Sequence, residues 1–245
     1  MPARRRGRRR SDAHVLVRDG PRGRELLVDG TFASYWRPGE VTTGSVWDAL
    51  AAPVLALPPA RRRRILVLGL GGGSAARVVR ALAPRARIVG VELDREVVGA
   101  ARRWFDLDAL RVEVVLADAR AYLAQSRERF DAVLDDVFLG PGSRVRNPDW
   151  LPEPGLRVAA RRVAAGGVLV SNAIHEAPAV ARTVAALCGG GVAIDVVGFH
   201  NRILAGGGRD GTLTARPLRA RIRADPHLSG TLPSLRLRTL PGAGR

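Results

Sequence analysis

The chain is poor in cysteine, histidine, lysine and aromatics, and each scarcity excludes something. Cys188 is the single cysteine in 245 residues, so no intrachain disulfide can form. It precedes a glycine turn and reads as inert. The four histidines are scattered and make no Cys/His cluster at zinc spacing, so no metal is expected. Aromatics make up 4% of the chain, which leaves little for base stacking. No apolar run reaches the roughly 18 residues that a membrane helix needs. The opening MPARRRGRRRSD carries arginines but no apolar stretch for a signal peptide, which predicts a cytoplasmic protein.

Lysine is missing altogether. All 40 basic residues are arginine, which reads as codon bias in a GC-rich genome before it reads as selection for binding. The net charge of +17 is uneven: residues 1–24 carry +7, residues 212–245 carry +6, and the segment between only +4. Both ends read as solvated basic arms, and the middle as a nearly balanced globular domain.

Organisation follows from periodicity. Val15 to Val17, Glu25 to Gly30 and Thr31 to Trp36 alternate around turn residues Asp19 to Gly23, which predicts a small β-meander. From Thr42 to Leu57 the spacing of Val46, Trp47, Leu50 and Val54 turns helical, until Pro58-Pro59 stops it. From residue 65 the chain alternates βαβα: strands at 65–68, 87–91, 112–116, 131–135 and 167–171, helices between them, and a closing hairpin at 192–197 and 202–205. Seven strands in a largely parallel α/β sheet are expected. After Gly206 to Gly208 the composition turns to Arg, Pro and Leu without clean periodicity, so 212–245 is expected to be a loosely attached tail.

The chemistry concentrates at the carboxyl ends of four consecutive strands. Gly69-Leu70-Gly71-Gly72-Gly73-Ser74 follows the first and opens a helix, the arrangement that brings a backbone close to a ligand at a helix N-terminus. Glu92 ends the second, where a carboxylate accepts ribose hydroxyls in a dinucleotide-type fold. Asp118 follows the third, placed to accept from an adenine amino group; helix capping is the competing role for both Asp118 and Glu92. Asp135-Asp136 ends the fourth. A nicotinamide-type Rossmann domain fits less well, because the sixth position of the turn is Ser74, and the absence of a following lysine excludes a P-loop.

On these motifs, Val67 to Gly73, Val91 to Asp94, Ala117 to Ala119 and Phe130 to Asp136, with the N-terminal Leu27-Val28-Asp29-Gly30 meander, residues 14–205 resemble the class I S-adenosylmethionine-dependent transferases, and within them the spermidine synthase-like branch. The resemblance implies a Rossmann-like class I methyltransferase sheet. Together with the charge distribution it divides the chain into a basic arm (1–13), a meander and helix (14–60), a nucleotide-binding transferase domain (61–211) and a basic tail (212–245). It implies that Gly69, Gly71, Gly72, Gly73, Glu92, Asp118 and Ala119 bind S-adenosylmethionine or its decarboxylated form, with Asp136 as the base that deprotonates an attacking amine. It also implies a homodimer. The acceptor side would draw on Asp135, which strand alternation turns away from Asp136, on His175 and on Trp36; Trp150 is a further candidate wall.

Two departures matter. The branch usually reads GGGDGG in the glycine loop and DSSDP after the fourth strand; here Gly72 and Leu139 stand where acids are usual. Arg144 and Arg146 in the loop 139–154 would repel a diamine. Three functions stay open: aminopropyl transfer to an amine, methyl transfer from S-adenosylmethionine, which the loss of an acid at Gly72 favours mildly, and nucleic-acid binding by the arginines of 4–10 and 216–223.

Overall fold

Three short strands, β1 (Val15–Gly20), β2 (Gly23–Val28) and β3 (Thr31–Trp36), form an antiparallel sheet of their own in the order β1-β2-β3. The β2–β3 turn is Asp29-Gly30, with φ of 47° and 76°. Positive φ at both central residues defines the type I′ turn that matches strand twist. The computed structural model describes residues 14–207 and 213–242. The expected basic arm, 1–13, lies outside them.

Helix α1 (Val46–Ala51) is shorter than the 42–57 expected, because Pro53 turns the rest into a 3-10 segment, Ala52–Ala56. The chain then alternates: β4 (Arg64–Leu68), α2 (Ser74–Leu82), β5 (Arg87–Glu92), α3 (Arg95–Trp104), β6 (Val112–Leu116), α4 (Ala119–Gln125), β7 (Phe130–Asp135), α5 (Gly155–Ala160), β8 (Val163–Ala173), α6 (Ala177–Cys188), β9 (Gly191–Val196) and β10 (Arg202–Gly207). Strands β4 to β8 are parallel to their neighbours among themselves, and β10 is antiparallel to both β8 and β9. The strand order β9-β10-β8-β7-β4-β5-β6 turns back at β4, so the crevice between the ends of β4 and β7 is a topological switch point, where open α/β sheets bind ligands.

Alternation along β4 divides the core. Ile65 and Val67 face α1, α2 and the 3-10 segment, whereas Leu66 and Leu68 face Leu123, Leu156 and Val180 of α4, α5 and α6. No helix among the described residues is long and apolar enough to cross a membrane.

The expected seven-stranded sheet has an eighth strand, and the expected tail is part of the fold. Residues 215–224 form α7 (Ala215–Ala224), whose Leu218 and Ile222 are fully buried in the core beside the 3-10 segment. Arg221 donates to the Ala56 carbonyl at 2.7 Å. Strand β11 (Leu235–Leu240) then pairs antiparallel with β9 at the sheet edge. There Asp195 of β9 accepts from Arg202 of β10 at 2.5 Å and from Arg238 of β11 at 2.7 Å. Two buried helical positions among arginines are too few to register as periodicity, and Leu235-Arg236-Leu237-Arg238, a period-two signal, was overridden by composition.

Ile222→Ala tests this packing. The unfolding free energy is expected to fall by about 2–5 kcal/mol, as for a buried aliphatic residue cut to alanine. A urea-midpoint change equivalent to less than about 0.5 kcal/mol, the value for a surface site, would contradict it.

Candidate functional site

The glycine loop is shaped by its protein neighbours. Gly69 has φ of 75°, and a Cβ there would lie 2.5 Å from the Asp136 carbonyl oxygen, so the end of β7 demands glycine at this position. Gly69 and Gly71 line a cavity of about 1030 Å³ at the carboxyl ends of the parallel strands. Gly72 and Gly73 do not. The Gly72 N–H donates to Ser34 Oγ of β3 at 2.7 Å, and a Cβ on Gly72 would meet Ser34 Cβ at 2.8 Å. The acid usual at this position in the resembling branch has no room here.

Glu92, Asp118 and Ala119 all line the same cavity. Glu92 also holds the loops together: Oε2 accepts from Gly71 N–H at 2.8 Å, and Oε1 from Leu93 and Asp94 N–H at 2.9 and 3.1 Å. A carboxylate offers about four acceptor positions, so capacity for a further donor remains. Asp118 caps α4, with Oδ1 accepting from Ala121 N–H at 2.8 Å. Its capping role and its place at the cavity coexist.

Asp136 lies at the switch point, its own N–H donating to the Leu68 carbonyl at 2.9 Å. Its carboxylate accepts from Trp47 Nε1 at 2.9 Å on Oδ2 and from Asn172 Nδ2 at 2.7 Å on Oδ1. Asn172 Oδ1 in turn accepts from Asn201 Nδ2 at 2.9 Å. Burial pushes the Asp136 carboxyl up to about 7; the donors Asn172 and Trp47 oppose that rise, and the nearby charges of Asp135 and Glu92 add to it. Asp135 points away from the cavity, as alternation requires. It is buried, accepts from Ser171 Oγ at 2.7 Å, and is likewise raised to about 7 by burial.

Two further expectations separate. His175 lines the cavity, as does Trp150. Trp36 does not: it packs against Phe105 with ring centroids 6.5 Å apart, and the Arg77 guanidinium stands 4.9 Å from its ring. Neither Asp135 nor Trp36 can therefore touch a ligand in this cavity.

Several lining groups escaped the sequence reading. Trp47 registered only as a core position of a helix, yet its indole N–H faces Asp136. Phe32 packs on it with centroids 5.1 Å apart. Asn172, one residue past an expected strand end, carried a faint signal; Asn201, in the β9–β10 turn, carried none. Residues 139–146 fold over the cavity as a small hairpin, closed by Leu139 N–H to Arg146 O at 2.8 Å and the reciprocal bond at 2.9 Å. Thr31 of β3 holds this hairpin, accepting from Gly142 N–H at 2.8 Å and donating to Gly140 O at 3.2 Å. On the opposite rim His14 bridges Asp29, at 2.7 Å, and the α3 cap Asp94. Hydrogen bonds to Asp29 and then Asp94 raise the imidazole to about 9, so it is a cation between two carboxylates at neutral pH.

Comparison with known proteins agrees with this architecture. A family model described as a methyltransferase domain matches residues 65–147. A polyamine aminopropyltransferase from Nitrosomonas europaea is 29% identical over 179 residues, covering 67% of this chain and 51% of that protein. The chain spans between about a fifth and about half the length of the curated relatives it matches first. Among solved structures, a probable spermidine synthase from Corynebacterium glutamicum superimposes with a TM-score of 0.69 at 21% identity, covering 91% of this chain and 86% of that one. Human methyltransferase-like protein 13, in complex with SAH, does so with a TM-score of 0.60 at 23% identity, covering 78% and 93%. The eight-stranded mixed sheet with its N-terminal meander is thus a Rossmann-like methyltransferase fold similar to that of the solved spermidine synthases.

Proposed function

We propose that the chain transfers an aminopropyl group from decarboxylated S-adenosylmethionine to an amine, with Asp136 as the base. The observation that carries this reading is the Asp136 carboxylate itself: it lines the cavity at the switch point, is fixed on both oxygens by Trp47 and Asn172, and has its pKa raised to about 7. A base works best when its pKa lies near the working pH. The names of the curated relatives support aminopropyl transfer in particular.

The residues suit the nucleotide. Glu92 retains acceptor capacity for a ribose hydroxyl, Asp118 faces the cavity one strand further along, and Gly69 and Gly71 present backbone to it. The sulfonium of this substrate supplies the activation, so the protein's task is mainly alignment and proton removal. The amine nitrogen bonds to the aminopropyl carbon next to sulfur, the carbon–sulfur bond breaks with its electron pair passing to sulfur, and the ammonium proton passes to the Asp136 carboxylate. Trp47 and Asn172 hold that carboxylate in one orientation.

Methyl transfer from S-adenosylmethionine is the second reading. The observation in its favour is Gly72, where a Cβ would meet Ser34 and no acid fits, at the position whose acid holds the amino end of the nucleotide in the resembling branch. Mass spectrometry of an amine incubated with each nucleotide distinguishes the two by the group gained. Gain of neither overturns both.

Asp136→Asn is expected to lower transfer by about 10²-fold or more, the usual contribution of a general base, while nucleotide affinity measured by calorimetry stays within about three-fold. Loss of nucleotide binding instead would reassign Asp136 to the nucleotide. In the unsubstituted chain kcat/KM should rise with pH through about 7, because the base works deprotonated; the variant should lack that limb. Trp47→Phe keeps an aromatic ring but removes a donor to the charged carboxylate, so the limb is expected to move to higher pH. A limb that moves to lower pH, or stays put, would contradict the orienting role of Trp47.

A further inference from the structure

The strand order divides the cavity in two. The ends of β4, β5 and β6 carry Gly71, Glu92 and Asp118, and the rim above them carries Asp29 and Asp94. The other half lies beneath the ends of β7 and β8 and the β9–β10 turn. There, among the described lining residues, Asp136 is the sole carboxylate, in company with Phe138, Leu139, Trp150, Ile174 and Phe199. The titratable groups beside them, His175 and His200, bring no negative charge.

The remaining acids lie outside this half: Glu176, beside His175, has a buried Oε2 with no partner among the described residues but does not line the cavity. Asp29 and Asp94 share the His14 cation. Of the two acids in the loop over this half, Asp149 pairs with Arg146 and Glu153 with Arg157, and neither lines the cavity. A diamine bound with one nitrogen at Asp136 would leave its second ammonium among apolar side chains, two imidazoles and the neutral polar groups of Ser143, Asn172 and Asn201, with no second carboxylate to pair it. Burying an unpaired ammonium is strongly unfavourable, whereas an uncharged chain end at the same place gains by leaving water.

We infer that the acceptor is a monoamine, one primary nitrogen on an aliphatic or aromatic body, and not a diamine. The inference rests on the aminopropyl-transfer reading of the same site, with Asp136 receiving the nucleophilic nitrogen.

Binding tests it apart from chemistry. The enzyme saturated with methylthioadenosine is titrated calorimetrically with n-hexylamine, benzylamine and 1,6-diaminohexane at about pH 8, where all the amines are cationic. A monoamine is expected to bind at least about ten-fold more tightly than the diamine. A diamine that binds as tightly or more tightly, or a failure of all three to bind, overturns the inference. Leu139→Asp supplies a carboxylate on the apolar side and is expected to shift the diamine-to-monoamine affinity ratio by about ten-fold toward the diamine; a ratio unchanged by that substitution overturns the missing counter-charge as the cause. Mass spectrometry of the same amines with decarboxylated S-adenosylmethionine reads transfer separately. A monoamine preference in binding with no transfer overturns the aminopropyl reading and leaves the acceptor class standing.

Discussion

Strands β4 and β7 end side by side, and the last backbone hydrogen bond between them, from Asp136 N–H to Leu68 O at 2.9 Å, fixes where everything else at the site must lie. That bond brings the Asp136 carbonyl within 2.5 Å of where a Cβ on residue 69 would be, so the turn after β4 has to begin with glycine. The same geometry aims the Asp136 side chain into the switch-point crevice and turns Asp135 back into the sheet. Neighbouring carboxylates on one strand thereby acquire separate surroundings. Both are raised by burial, but one is locked to Ser171 and the other is held open to the cavity by an indole and an amide.

The N-terminal meander is a structural component of the cavity. Ser34 receives the Gly72 N–H, Thr31 holds the 139–146 hairpin, Phe32 backs Trp47, and the Asp29 turn shares the His14 cation with the cap of α3. Each contact joins a rim element to the Rossmann-like sheet. The cavity is therefore enclosed by two sheets that have no hydrogen-bonded strand pair between them, and its shape depends on a handful of side chains from one meander.

Much of this was legible in the sequence because the signals were local. The glycine loop, Glu92, Asp118 and Asp136 each sit at the end of a strand whose apolar run announces it, and the regular βα alternation fixes their common edge. What stayed hidden depends on long-range contacts. Trp47 reads as a core helix position until the end of β7, 89 residues away, is placed beside it. Trp36 looks equally available but is drawn to Phe105 and Arg77. Gly72 and Gly73 read as ligand-facing because a glycine turn looks the same whether a nucleotide or the protein itself crowds it; Ser34 and Leu107 supply the crowding here. Arginine-rich composition hid α7 and β11, whose guanidinium groups reach backbone carbonyls and Asp195 and are not solely solvent-facing.

The eighth strand also closes an edge. Strand β9 buries Val192, Ile194 and Val196 on one face and carries Ala193 and Asp195 on the other, and until β11 covers it, it is an exposed edge of the kind that pairs with other chains. Helix α7 likewise seals apolar side chains of the 3-10 segment made more than 150 residues earlier, the separation at which Arg221 meets Ala56. Without residues 213–240 the sheet has an open edge and an open face. Arg236 and Arg238 place charge on β11, the end strand of the sheet within this chain, Arg238 pairing with Asp195 of β9.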